Sequence, residues 1–147
     1  MSESHPMQDF KTTEGSCLCG EVRYRITGFV GIFQHCHCSR CRKVTGSAYS
    51  ANMFVPIDQF EWLSGEERVG YYAVKEARHF ASAFCKQCGS NMPWLPQSGK
   101  VMVIPAGSLD GDPGVQPEMN IFCDSAAEWF VDPGELPRFS KMPSDSD

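Results

Sequence analysis

Apolar and polar residues alternate along much of this chain. The alternation is plain in residues 21–27, where the apolar positions are Val22, Tyr24 and Ile26. A period of two is expected of a β-strand with one face in the core and the other in solvent. Similar extended patterns occur in six further segments, 32–35, 48–55, 68–74, 78–84, 101–105 and 120–123. The pattern therefore predicts a mainly β protein.

Turn-forming residues separate these segments and leave little room for long helices. The chain has 10 prolines and 13 glycines in 147 residues, and both residue types favour turns and interrupt helices. Only residues 40–45 and 56–60 remain as short helix candidates. No repeat or linker divides the sequence, so we expect one domain over residues 14–140. Residues 1–13 are expected to form a flexible N-terminus and residues 141–147 a disordered acidic tail.

Composition and charge narrow the classes of function. The hydrophobic share of 41% is enough for a core, and the net charge of −5 speaks against a general nucleic-acid binder. No segment approaches the roughly 18 apolar residues of a membrane span, and residues 1–15 contain no apolar run like that of a signal peptide. We therefore expect a cytoplasmic protein without nucleic-acid or membrane partners. The oligomeric state is not indicated.

The cysteines are the most unusual feature of the sequence. Of the 8 cysteines, all but Cys123 fall in three tight groups, namely Cys17 with Cys19, Cys36 with Cys38 and Cys41, and Cys85 with Cys88. Thiolates are soft ligands that suit zinc. Disulfides or an iron–sulfur cluster are the alternatives. A reducing cytoplasm and the short Cys-x-Cys spacing argue against disulfides, so zinc is favoured.

The grouping predicts two unequal sites and thus two zinc ions per chain. Structural zinc takes four ligands, whereas catalytic zinc takes three and keeps an open position. The two outer pairs, Cys17, Cys19, Cys85 and Cys88, make a closed set, which we call the four-cysteine cluster. The central three, Cys36, Cys38 and Cys41, make an open set, which we call the three-cysteine cluster.

Two alternatives would close the open set. His35 or His37 would supply a fourth ligand from the same segment, and Cys123 would supply one from a distance. We otherwise expect Cys123 to be a small buried residue in the strand 120–123. The three tryptophans, Trp62, Trp94 and Trp129, are expected to line the core or a pocket.

Four segments resemble the glutathione-dependent formaldehyde-activating enzyme family. They are residues 15–24 (GSCLCGEVRY), 36–42 (CHCSRCR), 84–90 (FCKQCGS) and 106–110 (AGSLD), and the resemblance extends to residue 129. It implies a β-tent fold of packed antiparallel sheets, a structural zinc on the four-cysteine cluster and an active-site zinc on the three-cysteine cluster. It also implies a carbon–sulfur lyase activity that joins glutathione to formaldehyde as S-hydroxymethylglutathione.

Charged residues around the three-cysteine cluster complete this functional hypothesis. Arg40, Arg42 and Lys43 form a basic patch in an acidic protein, and we expect them to hold the carboxylates of the thiol. His37 has a pKa range suited to delivering a proton to the product oxygen. We therefore name Cys36, Cys38, Cys41 and His37 as catalytic candidates. For the three cations and His37, the alternative is a solvated surface position.

The chain departs from the family near the end of the resemblance. Where members usually carry a histidine and a lysine, this sequence has Asn120 and Ala126. If the missing groups contact glutathione, this protein prefers a different thiol. Two other functions remain open. One is a small-thiol carrier or a lyase acting on another thioadduct, and the other is a non-enzymatic zinc interaction module.

Overall fold

The structure is a computed structural model that describes residues 11–28 and 31–143. Ten β-strands lie in this part of the chain. They are β1 (Thr12–Ser16), β2 (Arg23–Thr27), β3 (Phe33–Cys36), β4 (Ser50–Pro56), β5 (Phe60–Ser64), β6 (Val69–Ala73), β7 (Ala81–Cys85), β8 (Asn91–Met92), β9 (Val101–Pro105) and β10 (Met119–Ile121). A single α-helix in the described residues, α1 (Ser39–Thr45), follows β3.

The strands form three small sheets. Their strand orders are β1-β2-β5, β10-β3-β4-β9 and β6-β7-β8. Neighbouring strands are antiparallel except β10, which runs parallel to β3. No helix in the described residues is both long and apolar enough to cross a membrane. The structure confirms the prediction of a mainly β protein made of several antiparallel sheets.

Two groups of buried side chains hold the sheets together. The first joins the β1-β2-β5 sheet to the four-stranded sheet and contains Tyr24, Ile26, Phe33, Met53, Val55, Met102 and Ile104. The second surrounds the four-cysteine cluster and contains Val22, Ala83 and Met92. Trp62 packs against both groups, so the two cores meet at this side chain. Trp129, in contrast, is 69% exposed, against our expectation.

Most of the predicted elements are present, with shifted ends. The strand predicted over residues 101–105 has those bounds, and the helix candidate at 40–45 is α1. The second helix candidate forms only a 3-10 turn, Ile57–Gln59. Thr12 and Thr13 belong to β1, although the sequence placed them in a flexible N-terminus. Residues 1–10 and 144–147, which carry most of the predicted flexible ends, lie outside the described residues.

The prediction for Cys123 was wrong. Strand β10 ends at Ile121, and Cys123 is exposed in a 3-10 turn, Cys123–Ser125. The cause is Phe122, whose φ of 56° is left-handed and incompatible with a continuing strand. The apolar pattern of residues 120–123 cannot reveal this backbone reversal.

Gly15 is required because the ring of Tyr24 lies directly against it. A Cβ atom at position 15 would lie 2.3 Å from Cζ of Tyr24. The Tyr24 hydroxyl donates to Oγ of Ser108 at 2.5 Å, and Ser108 donates to the carbonyl of Pro105 at 2.7 Å. The ring therefore cannot retreat without breaking this chain of hydrogen bonds.

We expect Gly15→Ala to lower the free energy of unfolding by about 1–3 kcal/mol, the usual cost of overpacking a core. Urea denaturation followed by circular dichroism measures this change. Gly107→Ala is the control, because no atom lies within 4 Å of a Cβ built there. Equal denaturation midpoints for the two variants would contradict the expected contact with Tyr24.

Candidate metal centres and the adjoining cavity

The four-cysteine cluster joins two sheets that are distant in sequence. Cys17 directly follows β1 and Cys85 ends β7, so Cys19 and Cys88 lie in the tight turns after these strands. In the second turn the backbone N–H of Gly89 donates to the carbonyl of Cys85 at 2.8 Å. Gly89 has a φ of 82°, a conformation that glycine adopts without steric cost. The two turns thus present their sulfurs to one another.

The spacing of these sulfurs suits a tetrahedral metal ion. The Sγ atoms of Cys17 and Cys19 are 3.6 Å apart, and those of Cys19 and Cys85 are 3.9 Å apart. Four sulfurs at about 2.3 Å from a tetrahedral zinc lie about 3.8 Å from each other. A disulfide requires about 2.05 Å, and all 8 cysteines are free thiols. The cluster can therefore hold a metal ion, and the disulfide alternative is not realised.

Backbone and hydroxyl donors surround the same sulfurs. The N–H groups of Cys19, Val22 and Gln87 point at Sγ atoms of Cys88, Cys17 and Cys85 at 3.3–3.4 Å. The Ser90 hydroxyl lies 3.2 Å from Sγ of Cys88. This hydrogen bond is the main cause that lowers the pKa of Cys88 to about 5. Such donors stabilise the thiolate form that a metal ion requires.

The three-cysteine cluster is built from a strand end and a helix start. Cys36 is the last residue of β3, Cys38 is the N-cap of α1, and Cys41 lies in the first turn of α1. As the N-cap, Cys38 accepts a hydrogen bond through Sγ from the backbone N–H of Cys41 at 3.3 Å. The local strand-to-helix geometry thus brings the three sulfurs to within 4.8 Å of one another.

This second cluster remains a set of three. Neither His35 nor His37 nor Cys123 belongs to the group of metal-ligand atoms that the described residues bring together. The ring of His35 instead stacks on Tyr49, with centroids 4.2 Å apart. A hydrogen bond with the Cys41 thiol lowers the pKa of Cys36 to about 6 and raises the pKa of Cys41. The cluster therefore offers a metal ion three sulfur ligands.

A cavity of about 600 Å³ opens beside the three-cysteine cluster, and all three of its cysteines line it. We call it the cysteine cavity. Its apolar wall consists of Phe54, Phe80, Trp94, Val103, Ile121 and Phe122. Its polar lining consists of Gln34, Ser39, Arg40, Asn52, Arg78, His79 and Ser125. The volume lies in the range of about 300–1,000 Å³ that is typical of small-molecule sites.

His37 does not line this cavity. The residue is only 2% exposed, and its ring packs against Tyr49 and Phe130, each with a centroid distance of 5.1 Å. Nε2 lies 3.0 Å from Oδ1 of Asn120, and Nδ1 is buried without a partner in the described residues. The backbone N–H of His37 also donates to the carbonyl of Ile121. His37 thus attaches the Cys36–Cys38 turn to β10.

The basic patch predicted from the sequence is divided by the structure. Arg40 lines the cysteine cavity, but Arg42 and Lys43 do not. Arg42 donates to the carbonyl of Ser125 at 3.2 Å, and Lys43 lines a neighbouring depression with Tyr72 and Val74. Successive helix residues are about 100° apart, so Arg42 lies about 200° from Arg40 and faces another direction. Lys43 lies only about 60° from Arg40 around the helix and lines the neighbouring depression together with it.

Sequence reasoning missed Arg78 and His79, which line the cavity from the segment between β6 and β7. No motif marks them, since they come near Cys41 only through folding. Asn120 and Ala126, which differ from the usual family residues, are not part of the lining either. Asn120 contacts the cluster only indirectly, through His37.

The fold and the two cysteine clusters define a class of β protein with two candidate metal centres, one of them beside a cavity. Residues 12–125 match the family described as "Glutathione-dependent formaldehyde-activating enzyme". The chain therefore belongs to the glutathione-dependent formaldehyde-activating enzyme family, which confirms the resemblance found in the sequence.

Two individual proteins illustrate the similarity. A protein of Halomonas elongata named "Putative glutathione-dependent formaldehyde-activating enzyme" is 29% identical, over 79% of this chain and 78% of its own length. A crystal structure of a Rhodobacter sphaeroides protein superposes with a TM-score of 0.54 at 22% identity, covering 73% of this chain and 97% of its own. The second similarity concerns the fold alone.

Proposed function

We propose that this protein is a zinc-dependent carbon–sulfur lyase of the cytoplasm. It joins a thiol such as glutathione to formaldehyde, or to a related small carbonyl compound, at the three-cysteine cluster. The observation that carries this assignment is that three convergent sulfurs line a cavity of about 600 Å³. The cavity of about 590 Å³ beside the four-cysteine cluster, in contrast, is lined by Cys17 without the other three cysteines of that cluster. Membership of the family supports the same class of reaction.

The donor sets suit two zinc ions with different tasks. The four-cysteine cluster has the four sulfur donors of a structural site, and its spacings of 3.6 Å and 3.9 Å match tetrahedral zinc. The three-cysteine cluster lacks a fourth protein ligand in the described residues. Zinc bound there would lower the pKa of an incoming thiol and so supply a thiolate at neutral pH.

Residues of the cysteine cavity bind and orient the substrate. Arg40 directly precedes Cys41 in α1 and lines the cavity, so its guanidinium can pair with a carboxylate of the thiol. Phe54 and Trp94 form an apolar wall that excludes water from the reacting carbonyl. His79 is the imidazole on this lining, and we assign proton transfer to it in place of the buried His37.

The reaction balances without an oxidant or a reductant. The thiol sulfur forms a bond to the carbonyl carbon, and the carbonyl π pair moves to the oxygen. The proton lost by the thiol is returned to that oxygen, which gives the hydroxymethyl thioether. His79 can carry this proton, because histidine is the residue that most often acts as a general acid or base.

The test uses the zinc-bound full chain, glutathione and ¹³C-labelled formaldehyde. We expect the exchange rate between free and thiol-bound formaldehyde, measured by NMR exchange spectroscopy, to rise with protein concentration above the spontaneous rate. His79→Gln should reduce the catalysed part by about 100-fold, the lower end for a general acid–base group. A protein that binds glutathione but never exceeds the spontaneous rate is a thiol carrier, which contradicts the lyase assignment.

A further inference from the structure

We propose that Arg40 and Arg78 together form an anion subsite of the cysteine cavity, and that this subsite selects thiols carrying a carboxylate. Arg78 lies outside the cysteine motifs of the sequence. Because a thiol must occupy the cavity for this selection to operate, the inference rests on the proposed function. It adds the class of thiol and a specificity residue.

The two arginines reach the cavity from different elements. Arg40 comes from α1 and Arg78 from the segment between β6 and β7, and both line the cavity with the three cysteines. A guanidinium on each of two elements allows one carboxylate, or two carboxylates of one ligand, to be held by paired donors. Arginine suits this task because its planar donor fork matches a carboxylate.

No protein carboxylate neutralises these charges in the described part of the chain. The ion pairs found there use Arg23, Arg25 and Arg68, and no aspartate or glutamate lines the cavity. The guanidinium groups of Arg40 and Arg78 are therefore available to an anionic ligand. A ligand ammonium group, by contrast, meets no carboxylate on this lining.

The side-chain amide of Asn52 is a further hydrogen-bond donor in the cavity. Asn52 is 6% exposed and lines the cavity, and its Oδ1 already accepts a hydrogen bond from Oγ of Ser50 at 2.8 Å. Its NH₂ group can donate to a ligand. The polar lining thus provides more donors than acceptors, as expected of a site for carboxylates.

The segment that carries Arg78 is held in place before any ligand binds. Nε2 of Gln97 donates to the carbonyls of Val74, Ala77 and Phe80 at 2.9–3.2 Å. The backbone N–H of Gln97 donates to the carbonyl of His79 at 3.0 Å. These bonds lie on both sides of Arg78. An ordered backbone reduces the entropy lost when the arginine binds a ligand.

A matched pair of ligands tests this subsite. 3-Mercaptopropionate and 3-mercaptopropionamide have the same length, but the first ends in a carboxylate and the second in a neutral amide. Isothermal titration calorimetry of the zinc-bound full chain, at low salt and without any carbonyl compound, measures both affinities. The ratio of the acid affinity to the amide affinity is compared between the wild type and each variant. The difference in acidity between the two thiols is the same in every protein and therefore cancels.

We expect Arg78→Gln and Arg40→Gln each to reduce this acid-to-amide ratio by about two- to fivefold, as for a solvent-exposed ion pair. The reduction should shrink as salt is added. Lys75→Gln is the matched control, since it removes a positive charge from the segment of Arg78 at a position that does not line the cavity. It should leave the ratio unchanged.

Three results would overturn the anion subsite: an unchanged ratio in both arginine variants, an equal reduction in Lys75→Gln, or no binding of either thiol. The lyase assignment is judged separately by the exchange rate with formaldehyde. If the variants show the expected affinity ratios but the wild type shows no catalysis, the anion subsite is supported and the lyase assignment is rejected. If the wild type catalyses the exchange but the ratios are unaltered in the variants, the lyase assignment is supported and the anion subsite is rejected.

Discussion

Replacing Cys85 by serine is expected to prevent stable folding of this protein. Cys85 is fully buried at the end of β7, and its Sγ atom lies 3.9 Å from that of Cys19. Structural zinc sites bind with about 10–16 kcal/mol, whereas a whole domain is stable by only about 5–15 kcal/mol. Loss of even a part of this binding energy with one ligand is therefore comparable with the net stability. Cys88→Ser should act in the same direction.

Circular dichroism and urea denaturation of the purified variants measure this effect. The expected result is a chain that lacks cooperative unfolding, as the wild type should after strong chelation. Cys123→Ser is the control, because Cys123 is exposed and belongs to neither cluster. A cooperative transition in Cys85→Ser at the wild-type midpoint would show that the four-cysteine cluster does not stabilise the fold.

Replacing Cys38 by serine is expected to abolish the lyase activity while the protein remains folded. Serine retains the local role of Cys38, since this residue is the N-cap of α1 and serine is a preferred N-cap. It removes one of the three sulfurs that line the cysteine cavity. Loss of a ligand should cost more than the roughly 10- to 100-fold that is typical when a ligand's hydrogen-bond partner is lost.

Native mass spectrometry, denaturation and the formaldehyde exchange assay check this prediction together. We expect the zinc content to fall from two to one, the denaturation midpoint to stay near that of the wild type, and the catalysed exchange to disappear. Cys123→Ser should keep both zinc ions and full activity. Catalysis that survives in Cys38→Ser with one zinc ion would exclude the three-cysteine cluster as the active site.

The position of His37 was open to prediction from sequence geometry alone. Neighbouring residues of an extended backbone point to opposite sides. If Cys36 and Cys38 face one metal ion, the residue between them faces away from it. The structure places His37 in this way, buried between Tyr49 and Phe130. The general use of histidine in proton transfer was a weaker guide than the alternation of side chains.

The division of the basic patch was only partly predictable. On an α-helix, Lys43 lies about 200° from Cys41, which argues against a place in the same cavity. Arg40 and Arg42 are each about 100° from Cys41, on opposite sides, so the sequence cannot choose between them. Which of the two arginines lines the cavity depends on what packs against α1. In the structure Arg42 donates a hydrogen bond to the carbonyl of Ser125.

Local patterns in the sequence determined the strands, the helix α1 and the two cysteine sets of this protein. The strands, α1 and the three-cysteine cluster depend on residues close together in the chain, such as the alternation around Tyr24 or the spacing from Cys36 to Cys41. The four-cysteine cluster joins two such close pairs, which the preference of structural zinc for four ligands predicts. Only the tertiary structure decided which side chains line the cysteine cavity. Arg78 and Trp94 come to Cys41 through sheet packing, and contacts between distant segments leave no periodic trace in the sequence. The left-handed backbone of Phe122, after which Cys123 is exposed, likewise has no signal in the apolar pattern of residues 120–123.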